Sequence, residues 1–344
     1  MLRYEVRGAT LADEEQLLSL AGFLNTVNLP NDRPHIRRLL EHSEGSFRGE
    51  IPRNHRKFVF LLRDRQERAA VGTSMIVAQL GRRDAPYIYL DVISEEKYSH
   101  AVDKHFHHTV LKIGFSYAGP TEIGGLVVHP EHRRGSDRLG LLISYVRFLY
   151  LTMHRDWFQE EVLAELLPPL EPDGTSHLWE ALGRHFTGMS YAEADLLSST
   201  DKTFIRDLFP SGDIYASLLS RDAQEVIGKV GAQTRGVEKM LRRIGFRYAE
   251  RIDPFDGGPH FVADMNEISL VSDTRECTIT SLSEGGGEAG VRALVGLDLE
   301  SAPYFRALPC RVELSDNRQV RLSAEAATDL GVALGARVFV LPLR

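Results

Sequence analysis

The sequence predicts an α/β (α+β) protein in three parts: a sheet flanked by helices, a second related α/β lobe, and a small C-terminal β-rich, barrel-like unit. Three observations carry this. Apolar strand-type runs alternate with helix-period segments through the first part. A helix, a glycine and an extended run recur in the same order at residues 177–186 (HLWEALGRHF) and 237–248 (VEKMLRRIGFRY). After about Ser269 the composition shifts to short β-type runs separated by turns. The expected parts are residues 1–190, 191–268 and 269–344, in keeping with a chain of 344 residues at about 100–200 residues per domain.

The first part opens on a short alternating strand, Arg3–Arg7. A helix follows over Leu11–Leu20, with Asp13, Glu14 and Glu15 in its first turn, where the positive helix end favours acids. Pro30, Asn31 and Asp32 start a second, basic helix through Ile36, Leu39 and Leu40. Phe58–Leu62 and Ala69–Ala78 are apolar strands. Thr121–Val128 is a strand with two glycines, and a basic loop runs from Glu131 to Leu139. Leu139, Leu142, Ile143, Val146, Leu149 and Met153 then fall on the spacing of an amphipathic helix. Val162–Leu167 is a strand, and Ser176–Leu182 a helix that ends before Gly183. In the last part, Cys277–Leu282, Arg311–Leu314, Val320–Leu322 and Arg337–Leu341 are β-type runs. Gly285, Gly286 and Gly287 make a hinge or turn, and Ser323 caps a helix to Leu330.

Composition excludes several classes. With 41 Lys+Arg against 48 Asp+Glu the net charge is −7, so a general nucleic-acid-coating role is not expected. Hydrophobic residues at 43% and charged residues at 26% argue against disorder. The longest apolar stretch, Leu139 to Met153, is broken by Arg147 and is too short to cross a bilayer. The start, MLRYEVRGATLADEE, lacks the apolar core of a secretory leader. Two cysteines, Cys277 and Cys310, are too few for a disulfide framework. The expectation is a cytoplasmic protein with no membrane association.

One stretch carries chemistry. A strand feeding a Gly/Arg loop and then a helix is an anion site, because the first backbone N–H groups of the helix have no intrahelical partner. Arg133, Arg134 and Arg138 add charge, and Gly135 lets the backbone approach a pyrophosphate. Taken alone, the same loop also reads as a solvated strand–helix connection.

The run 126–135 (LVVHPEHRRG) resembles the acyl-CoA loop of GCN5-related N-acetyltransferases, with the turn about two residues longer than usual. An ordered series extends the resemblance: 186–195 (FTGMSYAEAD), 202–205 (KTFI), 226–230 (VIGKV), 245–248 (GFRY) and above all 252–259 (IDPFDGGP). It is similar to the arginine N-succinyltransferase family over roughly Arg3 to Asp264, and residues 321–340 resemble the tail of longer members. The resemblance implies an acyl-CoA N-acyltransferase fold with a mixed, mainly antiparallel sheet. It also implies succinyl transfer from succinyl-CoA to the α-amine of arginine. The acyl-CoA would be a co-substrate, with no permanently bound cofactor. It implies association as a homo-oligomer or with a related subunit, and Leu126 as an acyl-CoA contact. The family's catalytic histidine maps to Gly231, which cannot move a proton.

The chemistry of such a transfer supplies further candidates. An attacking amine must lose a proton, the thioester oxyanion needs donors, and the leaving thiolate gains from an acid. Glu122, on the strand entering the loop, is the first candidate base, sharing a face with positions 124 and 126. His129, at the end of that strand, is the second. Backbone N–H groups near Leu126, Val127 and Val128 would hold the thioester oxygen. Tyr191 could protonate a thiolate. Asp256, in a glycine-rich turn, would pair with a guanidinium, or else serve its own backbone as an Asx-turn. His105, His107 and His108 suggest no metal, Asp103 being the only close carboxylate. Two alternatives stay open: an acyl-CoA or amino-acid binding protein without turnover, and an acyltransferase with another acceptor.

Overall fold

A computed structural model describes residues 1–23, 29–83, 85–133, 135–198, 201–283, 290–315 and 317–343. Strand β1 (Tyr4–Gly8) leads through a 3₁₀ turn into α1 (Glu14–Ala21). Helix α2 (Arg33–Phe47) starts where Asp32 accepts a hydrogen bond from the His35 N–H at 2.8 Å. This is the cap expected of an Asp before Pro at the first turn. Strands β2 (Lys57–Asp64), β3 (Ala69–Val77), β4 (Tyr87–Ser99), β5 (Lys104–Ser116) and β6 (Thr121–Val128) follow, then α3 (Leu139–Met153) and β7 (Glu161–Glu165).

Next come α4 (Arg184–Thr187), α5 (Tyr191–Ser198), α6 (Thr203–Leu208), β8 (Ile214–Tyr215), α7 (Arg221–Val226) and α8 (Arg235–Arg243). The chain continues through β9 (Arg247–Ile252), β10 (Pro259–Asp264) and α9 (Ser269–Asp273) to β11 (Arg275–Ser283) and β12 (Val291–Asp298). It ends with β13 (Phe305–Leu314), β14 (Gln319–Ser323), α10 (Ala324–Leu330) and β15 (Arg337–Pro342).

The chain forms two compact units: residues 1–78, 123–160 and 265–344 make the first, and residues 79–122 and 161–264 the second. This division cuts the sequence differently from the segments 1–190, 191–268 and 269–344. The reason is long-range pairing. β13 joins β1 antiparallel, Val6 opposite Ala307, which draws the C-terminal strands into the unit of the N-terminal sheet.

In the first unit, β13, β1, β2, β3 and β6 are successive neighbours in the sheet. Helices α1 and α2 cover one face through Leu17, Leu20, Ile36 and Leu40, packed on Val59, Leu61, Met75 and Val127. The β-rich end closes on itself: β12 pairs with β15, β15 with β11, β11 with β14, β14 with β13, and β13 with β12. It is a five-stranded barrel around Ile279, Val295, Leu308, Val320 and Val340, and closure leaves no edge within the ring. Both cysteines are free and buried there. Residues 285–287 lie outside the described residues.

In the second unit, β7 pairs with β10, β10 with β9, β9 with β4, β4 with β5 and β5 with β8, all antiparallel. Thr121 and Glu122 of β6 run parallel to β7. With β11–β14 also parallel, the pairing is mixed and mainly antiparallel. Trp179, fully buried, stacks on Phe255 with ring centroids 5.2 Å apart, and its indole N–H donates to Met189 O. It is core, not chemistry.

Two local readings need correction. The helix at 177 does not stop at Gly183: it runs through a π-helical turn (Trp179–Gly183) into α4 and ends at Gly188, whose φ of 72° is the left-handed stop. Gly183 is glycine because a Cβ there would drive into the Trp179 ring. No strand follows, so the 177–186 segment does not share the plan of 237–248, where α8, Gly245 and β9 keep the expected order. The long β4–β5 hairpin was also not anticipated. Its register places Glu96 opposite His107 and 3.4–3.5 Å from both His107 and His105. The close carboxylate is thus Glu96, supplied across the ladder, and not Asp103.

Candidate active site

The loop after β6 belongs to the first unit. Gly125, at φ 55°, interrupts the two-residue alternation of β6, and a Cβ there would meet Met75 Cγ at 3.0 Å. The shared face expected of 122, 124 and 126 therefore does not continue regularly past Gly125. Val127 is buried in the core under α1 and α2, and Val128 is also buried, so both offer a ligand their backbone and not their side chains. Leu126 is half-buried. The His129 N–H donates to Val71 O at 2.9 Å. Its ring packs on Phe23 and His132, and its Nδ1 is buried with no hydrogen-bond partner.

Arg133 turns back, its Nε donating to Val128 O at 2.8 Å. Arg134 lies outside the described residues. Gly135 is open, with nothing within 4 Å of a Cβ built on it. Arg138 takes the left-handed conformation at φ 53° immediately before α3, and its carbonyl accepts from the Leu141 and Leu142 N–H groups. Beside it a small cleft of about 100 Å³ is lined by Asp137, Arg138, Leu141, Leu142, Tyr145 and Arg292. Arg292, from β12, donates to Asp137 O at 2.9 Å. It is a cation at the loop that only the fold brings there.

The second unit gathers carboxylates. Glu165 ends β7 directly opposite His260 on β10. Asp253 follows β9, and its carboxylate accepts from the Phe255 and Asp256 N–H groups at 2.7 and 3.2 Å. Asp256 is 7% exposed and accepts from the Gly258 N–H at 2.7 Å, so the Asx-turn reading holds for one of its oxygens. Partial desolvation first, then the neighbouring charges of Glu122, Asp253 and Asp256, pushes Glu165 above the carboxylate range, with Lys202 opposing. Burial and the Asp253 charge do the same to Asp256. Asp253 is raised by burial alone, against its backbone hydrogen bonds and Lys202. Asp195 on α5 is pushed to about 7 by burial and by Asp253. Tyr191 faces the same charges, and burial with Asp256 and Asp195 beside it keeps its hydroxyl protonated.

His260 is sealed, with Nδ1 2.7 Å from the Tyr87 hydroxyl and Nε2 3.6 Å from Glu165 Oε1. Nε2 has no hydrogen-bond partner. Burial, with Arg251 and Lys202 nearby, drives His260 down to about 3. Ligand atoms of Glu165, Asp253 and His260 all lie within 4.8 Å of one another.

Gly231 borders this region. Its N–H donates to Leu167 O at 2.8 Å, and a Cβ on it would lie 2.6 Å from Pro168 O and 3.0 Å from Leu167 O. The backbone beyond β7 fills the space that a side chain would need.

The profile of the arginine N-succinyltransferase beta subunit matches residues 4–270. The chain belongs to the arginine N-succinyltransferase family. An arginine N-succinyltransferase of Yersinia pestis is 30% identical over 345 residues, covering 98% of this chain and 97% of the relative. One from Photorhabdus laumondii is 30% identical over 344 residues, covering 100% and 98%. In structure, the chain superposes on the arginine/ornithine succinyltransferase subunit AI of Pseudomonas aeruginosa with a TM-score of 0.84, at 28% identity and over 99% of both chains. Family membership, the α/β fold and the C-terminal extension expected from the sequence are therefore established together.

Of the residues singled out in the sequence, the fold collects Val128, His129, Arg133 and Arg138 around one loop, and Glu122 and Asp256 among the acids of the second unit. Glu122 lies at the start of β6 and His129 just past its end. Glu165, Asp195, Asp253 and His260 were not singled out. A Glu within the apolar run 162–167 and two Asp in 252–259 were the signals available. Among the described residues no helix is long and apolar enough to cross a membrane.

Proposed function

We propose that this protein transfers the succinyl group of succinyl-CoA to the α-amine of arginine. The observation that carries the reading is the cluster of acids in the second unit, Glu165, Asp195, Asp253 and Asp256. Carboxylates that raise one another's proton affinity, with Asp256 buried among them, are costly unless a cation joins them. A guanidinium fits, because its planar donor fork pairs with carboxylates. Asp256 is proposed to hold it through the oxygen not used by Gly258, with Asp253 and Asp195 adding charge.

The acyl-CoA would lie on the loop, its pyrophosphate held by Arg133, Arg134, Gly135 and Arg138. The thioester oxygen would be held by backbone N–H groups at Leu126, Val127 and Val128. Glu122 is proposed to add negative charge where the amine is deprotonated, and His129 to stand at the acyl-CoA end of the strand. We further propose a cytoplasmic location, where buried thiols stay reduced, and association as a homo-oligomer or with a related subunit.

The test is thiol release from a panel of acyl-CoAs with arginine, ornithine, lysine and other amines. Release with succinyl-CoA and arginine well above hydrolysis supports the proposal. No release with any amine would sink it. Gly231 favours a second reading, a changed acceptor, because no side chain fits at the position that the resemblance makes catalytic. That reading requires turnover with another amine to exceed turnover with arginine. Calorimetric binding of acyl-CoA without turnover would identify a binding protein instead.

A further inference from the structure

We propose that Glu165 is the general base that takes the proton from the acceptor's ammonium group, held in place from behind by His260 and Tyr87. This rests on the reading above that the acceptor is a primary amine.

The three residues form a line from core to surface. The Tyr87 hydroxyl lies 2.7 Å from His260 Nδ1, and His260 Nε2 lies 3.6 Å from Glu165 Oε1. Tyr87 and His260 are buried, whereas Glu165 keeps 33% of its side-chain surface accessible. Glu165 is therefore the member that a substrate can touch. His260 Nε2 is a sealed nitrogen with no hydrogen-bond partner, and such groups are rare unless something completes them.

When Tyr87 donates to Nδ1, the imidazole proton sits on Nε2 and points at Glu165. A shift of less than 1 Å closes that hydrogen bond. Because burial keeps the ring neutral down to about pH 3, it donates to the carboxylate without competing for the substrate's proton.

The surroundings set the strength of the base. Glu122 from β6, Asp253 after β9 and Asp256 beyond it are the negative groups facing Glu165, and Lys202 before α6 is the opposing cation. Arg251 from β9 acts on His260 and Tyr87. Together they hold the carboxyl above its usual range, which makes it a stronger base than a free carboxylate.

The step balances. The ammonium N–H bond breaks and its proton goes to Glu165, leaving a neutral amine. The nitrogen lone pair forms the C–N bond at the thioester carbonyl, and the C–S bond breaks with its electron pair on sulfur. The second nitrogen proton ends on the thiolate, giving free CoA thiol and an amide. Glu165 then releases its proton to solvent through its exposed third.

The experiment measures thiol release by the full chain against pH, for wild type, Glu165→Gln, Glu165→Asp, His260→Gln and Tyr87→Phe. The CoA-induced rise in melting temperature serves as the control for folding. Glu165→Gln should lose about 100-fold or more in kcat and the acidic limb of its pH profile, with the CoA response intact. Glu165→Asp should recover part of the rate. His260→Gln and Tyr87→Phe should move the acidic limb and lower kcat several-fold at nearly unchanged KM.

Wild-type turnover that Glu165→Gln leaves within threefold, with the same acidic limb, overturns the assignment alone. Activity abolished by a chelator and restored by zinc also overturns it, because Glu165, Asp253 and His260 would then be metal ligands. A wild-type chain inactive with every amine overturns the acceptor reading and this proposal together.

Discussion

Replacing Gly231 tests whether the catalytic histidine seen by resemblance could be put back. A Cβ at this position would stand 2.6 Å from Pro168 O, about 0.8 Å short of ordinary contact, and 2.9 Å from Pro168 C. Both are backbone atoms, and the segment is pinned. The Leu166 N–H donates to Pro259 O, while Leu167 O accepts from both the Gly231 N–H and the Thr234 hydroxyl. Relief of the clash has to break at least one of these bonds, worth about 1 kcal/mol net, on top of an overpacking cost of about 1–3 kcal/mol. Gly231→Ala should therefore lose about 2–4 kcal/mol in urea unfolding, read as a lower midpoint at unchanged slope. Gly231→His should lose as much and gain no turnover with arginine. The reasoning fails if Gly231→Ala unfolds within 0.5 kcal/mol of wild type, or if Gly231→His raises kcat tenfold. Either result would mean that the backbone at 167–168 yields freely.

Other outcomes follow from the same geometry. Asp256→Asn keeps an oxygen for the Gly258 N–H but removes the charge; KM for arginine should rise about tenfold or more while the unfolding midpoint holds, measured side by side. Asp195 is held at about 7 in place of 3.8, so its penalty is absent below about pH 4, grows as pH rises to about 7 and is full above. Asp195→Asn should stabilise the protein at pH 8 by at most about 4 kcal/mol and not at all at pH 3.5. Asp195, held at about 7, ionises as pH rises through that value, so calorimetric affinity for arginine should strengthen as pH rises through about 7 and bring proton release. Cys310, pushed to about 12 by burial, should react with a thiol reagent only on unfolding, as should buried Cys277.

Much of the fold was legible locally. The strands at 3–7, 58–62, 69–78 and 121–128, the helix at 139–153 and its arginine loop follow from apolar period and turn chemistry, which neighbouring residues set. The β4–β5 hairpin was not legible, because its outer half is exposed and polar and carries no apolar alternation. Gly183 misled for a different reason. Glycine marks either a helix stop or a close approach, and only the position of the Trp179 ring tells them apart. Arg133 and Arg138 could be placed at the loop because they sit in it. Arg292 could not, because β12 brings it there from 154 positions beyond Arg138.

The sequence by itself determined the family, the α/β class and the barrel-like end, since ordered motifs and local periodicity are written along the chain. Only the tertiary structure decided that Glu165, Asp253, Asp256 and Asp195 stand together beside a sealed His260, and that Gly231 has no room for a side chain. Those facts are pairings between strands and loops tens of residues apart. Burial and mutual charge, which set the proton affinities of the carboxylates, exist only once the strands have met.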